Sequence, residues 1–165
     1  MAELTKLESK LAEVLGLSMA AQGATDKVRG MLDDDEAEHA ETLERMKQEA
    51  AETEERCVGL ADDLDGKKTA ILESARETKG EATEMMETYL EGEDEALDGF
   101  EFLTMAEAGE VGHWSIVQAM SEKAGDTRFR ELAEWALPIQ RRHFDQALET
   151  SLEIAREEDP NEVES

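Results

Sequence analysis

Sulfur and ring chemistry have little to work with in this chain. Cys57 is its single cysteine, which excludes an intramolecular disulfide and any multi-cysteine zinc or iron–sulfur site. There are only two prolines, so little interrupts a helix, and β-branched residues are too sparse for a large sheet. Aromatics make up 4%; Trp114, Trp135, Phe100, Phe129 and Phe144 are read as core rather than as a base-stacking platform. Basic residues are scarce as well. Lys and Arg number 17 against 43 Asp and Glu, a net charge of −26. Nucleic acid and anionic membrane surfaces would be repelled. No apolar run has the length of a membrane span, and no basic, apolar leader is visible. The expectation is a soluble, cytoplasmic protein with neither nucleic acid nor membrane as partner. A glycine-rich phosphate loop and a serine nucleophile elbow are also missing.

What is present is acid and helical periodicity. A surplus of carboxylates with few lysines fits a halophilic, salt-adapted surface, on which most carboxylates hold water and counterions. At 165 residues the chain is long enough for one domain with a real core. Leu4, Leu7, Leu11, Val14 and Leu15 lie on one helical face. Gln22-Gly23-Ala24-Thr25 reads as a helix stop followed by an N-cap. A long second stripe follows from Val28 to Leu64 and ends at Asp65-Gly66; a third runs from Ile71 to Tyr89 and ends at Gly92. The fourth runs from Phe100 to Met120, stopped by Gly125, and the last from Phe129 to Ile154. The middle stripe, about 24 residues, would reach roughly 36 Å as a helix. These lengths predict an all-α, ferritin-like four-helix bundle over residues 1–156. It is built from two antiparallel helical hairpins, with a long helical crossover between helices 2 and 3. Residues 157–165 read as an acidic, disordered tail.

Each of the three histidines follows a Glu or Gln by three positions: Glu36 and His39, Glu110 and His113, Gln140 and His143. That spacing puts both groups on one helical face. With the first turn near residue 23, Glu8 and His39 lie about 15 residues from it on opposite arms. Glu110 and Gln140 stand equally far from Gly125, with Glu107 one turn earlier on the same face. Four helices would then offer polar groups at one depth, the arrangement in which bundles bind paired iron or manganese. Buried carboxylates lose hydration at a cost of several kcal/mol each; a divalent cation removes that cost and keeps them ionised. Gly109, Gly112 and Pro138 break helix rules in the same layer, either marking function or merely easing close packing and a kink. Cys57 is read as a small buried filler, and Arg141 and Arg142 as surface charge pairs.

The phrases DEAEHAETLERM, TMAEAGEVGHWSIVQAMSEKAGD and ALPIQRRHFDQAL resemble the ferritin-like superfamily, with YciE/YciF-like stress proteins the nearest pattern. The resemblance spans roughly residues 3–155. It implies a metal site in which Glu36 and His39 match the second-helix motif, Glu110 or Glu107 the third-helix Glu, and His143 the fourth-helix His. Glu8 would match the first-helix Glu. Gln140 stands where that family carries a Glu, and His113 is an added imidazole. The implied cofactor is iron, as a di-iron or mononuclear centre, with manganese or zinc as alternatives. The implied function is a stress-related, metal-binding protein that oxidises Fe(II) with O2 or peroxide, with a homodimer as the assembly. The rival expectation is a metal-free helical stress or interaction module whose acidic surface serves solubility. A third is a weak cation buffer.

Overall fold

A computed structural model describes residues 2–164. Met1 and Ser165, the outer ends of the expected bundle and tail, lie outside the described residues. The chain is all-helical: α1 spans Lys6–Arg29, α2 Ala37–Asp63, α3 Lys68–Tyr89, α4 Ala96–Ala124 and α5 Thr127–Glu157. A single 3-10 turn over Asp34–Glu36 precedes α2, and no strand occurs among the described residues.

Local chemistry sets the ends. Thr5 Oγ1 accepts from the Glu8 N–H at 3.1 Å, and the Glu8 carboxylate accepts from the Thr5 N–H at 2.8 Å. This reciprocal pair satisfies two orphan donors at the start of α1. Asp126 caps α5 by accepting from the N–H groups of Arg128 and Phe129 at 3.0 and 3.4 Å. The stops expected at Gly66, Gly92 and Gly125 are present, with φ of +74°, +77° and +66°, a region only glycine enters without strain.

The stop expected at Gly23 is not there. α1 continues to Arg29 because Ala24, Thr25 and Val28 extend its buried face. Gly23 itself is exposed, and a single exposed glycine costs a helix only about 1 kcal/mol. Thr25 is no cap: its hydroxyl donates inward to the Gln22 carbonyl at 2.9 Å. The real turn occupies residues 30–36, with Asp33 and Glu36 forming a capping box.

Paired contacts fix the directions. Arg29 meets Glu44 at 2.8 Å and Gln22 meets Glu54 at 2.6 Å, so α1 and α2 are antiparallel. Thr104 and Ser151 meet at 3.1 Å across antiparallel α4 and α5. His143 and Glu49, at 3.2 Å, join α5 to α2, while His113 and Glu13, at 3.0 Å, join α4 to α1. Thus α1, α2, α5 and α4 each touch the next. α3 fills the expected middle segment as a helix and lies along α1, running parallel to it, with Lys67 at its start beside Glu8 at 3.2 Å. Gly16 permits that approach: a Cβ there would stand 2.7 Å from the Thr78 Cβ.

The apolar core has two parts. One contains Leu11, Leu15, Cys57, Ile71, Trp114, Phe129 and Leu137. The other contains Val28, Leu43, Met46, Phe100, Leu103, Ala147 and Ile154. Between them, each of these four helices carries buried polar residues: Ser18 on α1, Thr53 on α2, Glu107 and Glu110 on α4, Gln140 and His143 on α5.

Candidate metal centre

The polar band is richest where α4 faces α5. Equal distances from the Gly125 turn bring Glu107 and Glu110 opposite Gln140 and His143, as the sequence spacing predicts. Their exposures are 2%, 5%, 1% and 1% respectively. His143 Nδ1 lies 3.8 Å from Glu107 Oε2. On its other side, His143 Nε2 lies 3.2 Å from Glu49 Oε1 on α2. The second Glu49 oxygen accepts from the Arg142 guanidinium, so Arg142 forms a charge pair as expected.

Electrostatics separate these groups into distinct states. Burial pushes the Glu107 carboxyl up to about 7, against an opposing hydrogen bond from Glu110. Burial together with the neighbouring Glu107 charge pushes Glu110 well above the ordinary carboxylate range. Burial lowers His143, outweighing its bond to Glu49, and keeps the ring neutral. Partial burial raises Glu49, but the hydrogen bonds and charges of Arg142 and His143 together more than offset this and hold it ionised. Three acceptors in the band have no hydrogen-bond partner: Glu107 Oε2, Glu110 Oε1 and Gln140 Oε1. Leaving one buried polar atom unpaired costs about 1–3 kcal/mol. Oxygens and a neutral imidazole nitrogen are donor types that suit iron, manganese or zinc, although the one His, Asp and Glu group among the described residues whose ligand atoms all lie within 4.8 Å of one another is elsewhere, at His39.

Not every residue singled out from the sequence belongs here. Glu8 sits at the far end of α1, spent on the Thr5 cap and Lys67. The misplaced first turn explains the error: with the turn at 30–36, Glu8 falls opposite the start of α3 rather than His39. Glu36 lies before α2, and its carboxylate accepts from the Asp33 N–H at 3.0 Å. His113 turns to α1 and Glu13. The three imidazoles therefore do not converge, and His143 alone lines the central band. His39 is buried ten residues before Glu49 on α2, about 15 Å of helix rise, and packs edge-on to Phe100 at 5.8 Å between ring centroids. It forms a separate group with Glu38 and Glu153, whose ligand atoms all lie within 4.8 Å of one another. Glu38 and Glu153 are exposed, so this group is shallow.

Glu49 was missed by the sequence reading. It is one position off the α2 stripe through Met46 and Ala50 and is partly exposed. Only the correct turn, which sets the register of α2 against α5, brings it to His143. A Cβ at Gly109 or Gly112 would meet nothing within 4 Å, so neither glycine serves close helix packing. Pro138 lies exposed on α5, which continues through it. Cys57 is fully buried in the core, and burial pushes its thiol far up, leaving it inert.

A cleft of about 250 Å³ opens between α1, α3 and α4 and reaches Glu107 and Glu110 from the side away from α5. No protein-family model, no curated protein and no solved structure matches the chain.

Proposed function

We propose that the chain is a metal-binding helical protein of ferritin-like arrangement, with α1, α2, α4 and α5 as the four bundle helices and α3 as the crossover. The observation that carries this reading is the set of three unpartnered buried oxygens beside neutral His143, in the band that divides the core. Glu107, Glu110 and His143 would hold the ion, with Gln140 and Glu49 completing its surroundings. Iron is the metal we favour, with manganese and zinc as alternatives. A bound iron would supply one-electron chemistry toward O2 or peroxide, and Fe(II) itself could be the substrate. The chain's own contribution is to exclude water, to keep His143 neutral as a nitrogen donor, and to anchor it through Glu49 and Arg142.

The test is metal retention. Chelator-treated protein is loaded with Fe(II), Mn(II) or Zn(II), desalted and analysed for metal and for melting temperature. Stoichiometric retention with a raised Tm is expected, lost in Glu110→Ala and His143→Ala and kept in His39→Ala. Retention that ignores Glu110 and His143 would sink the assignment. If no metal is kept at all, the metal-free interaction module takes its place.

A further inference from the structure

The group around His39 is no part of the central band. Glu38 and His39, at the start of α2, share a groove of about 300 Å³ with Glu149 and Glu153, near the end of α5. No lysine or arginine lines it. Exposed carboxylates alone, on a chain of net charge −26, hold only water and loose counterions. His39 sets this groove apart. It is only 9% exposed, packs edge-on to the fully buried Phe100, and still lines the groove. Its Nε2 lies 3.8 Å from Glu38 Oε1, beyond hydrogen-bond reach, and neither ring nitrogen has a hydrogen bond among the described residues. A polar group so nearly buried is rarely left without a partner. Packing therefore holds this imidazole in place while its nitrogens stay free for a ligand.

We infer that Glu38, His39 and Glu153 form a site for an exchangeable divalent transition-metal ion, separate from the central band, with water completing the coordination. One ligand atom from each lies within 4.8 Å of the other two. Two ligands on opposite sides of a zinc ion, each about 2.1 Å away, stand about 4.2 Å apart. The 3.8 Å separation of His39 and Glu38 already falls inside that span. Glu153 is exposed, so a change of rotamer brings it the small remaining distance. The imidazole selects the class of ion. Calcium and magnesium prefer oxygen alone, whereas zinc and its neighbours accept a mixed nitrogen and oxygen set. Two of the three ligands stand in solvent, so the ion exchanges freely and leaves on desalting. The inference does not rest on the central reading: about 15 Å of helix rise separates His39 from Glu49.

Chelator-treated protein is titrated with Zn(II) in about 1 M NaCl, where screening acts within about 3 Å, with Mg(II) in excess. Binding is followed by calorimetry and by NMR of the imidazole rings, of which the chain has three. One equivalent of zinc that desalting removes is expected, and its addition should shift the His39 ring. Glu153→Gln should weaken this equivalent at least tenfold. Glu84→Gln, which removes the same charge from an exposed position on α3 outside the groove, should change it less than twofold. Both variants alter exposed side chains, so folding is preserved. No exchangeable zinc, an unmoved His39 ring, or equal losses in the two variants would overturn the inference. Zinc that survives desalting and moves only His143 would support the central band and overturn this site, so the two readings fail separately.

Discussion

Glu107 and Glu110 occupy one turn of α4, and both are disfavoured as anions by burial. Without metal, folding favours their protonated forms. Their contribution to stability is therefore present below the ordinary carboxylate value of 4.5 and is lost as pH rises through their folded-state values, about 7 for Glu107. For Glu107 the loss is on the order of 3 kcal/mol. His143, lowered by burial, has the opposite slope, stabilising above its unfolded value and losing that below it. Denaturant titration of chelator-treated protein should show stability falling from pH 4.5 to 7, with a shallower fall in Glu107→Gln. A bound divalent ion takes the anionic forms, so the metal-loaded chain should become more stable over the same interval. A steep fall that persists in both Glu107→Gln and Glu110→Gln would place its origin elsewhere. Glu107, Glu110, Gln140 and His143 were legible as polar breaks in otherwise apolar stripes. Glu49 was not, because a partly exposed Glu in an acid-rich helix carries no mark of its own.

Helix ends were readable where glycine adopts a positive φ and unreadable where it does not. Gly66, Gly92 and Gly125 all end or follow helices in the left-handed region. Gly23 sits within α1 on an exposed face and looks the same in sequence. That ambiguity misplaced one turn and, through it, the depths assigned to Glu8, Glu36 and His39. Three substitutions separate the roles. Gly23→Ala should stabilise by about 0.5–1 kcal/mol, since helical residues gain from losing glycine's freedom. Gly125→Ala should destabilise by about 1 kcal/mol, since the cap needs a left-handed residue. Gly16→Ala should cost about 1–3 kcal/mol, because its Cβ would press on Thr78 of α3. Thermal and denaturant unfolding measure all three, and a stabilised Gly16→Ala would contradict the close α1–α3 contact.

Across the whole molecule the dominant quantity is a net charge of −26. Self-repulsion on that scale opposes the compact state, and salt shortens its range from about 10 Å at 0.1 M to about 3 Å at 1 M. The melting temperature of metal-free protein should rise steadily with NaCl; a flat or falling curve would remove repulsion as a major contribution. The all-helical class was visible from composition and periodicity alone, whereas the split core was not, because it arises only when four polar interruptions align. α3 buries only Ala70, Ile71 and Ala75, all in its first eight residues. Its remaining turns are held by partial contacts, so their amides should exchange with deuterated water well before those of α4 and α5. A helix pinned at one end can breathe at the other, and the breathing end is the one bordering the methionine-lined cleft. The wall that Met85 and Met86 give that cleft would then open and close on the timescale of local fraying, with the rest of the chain staying folded.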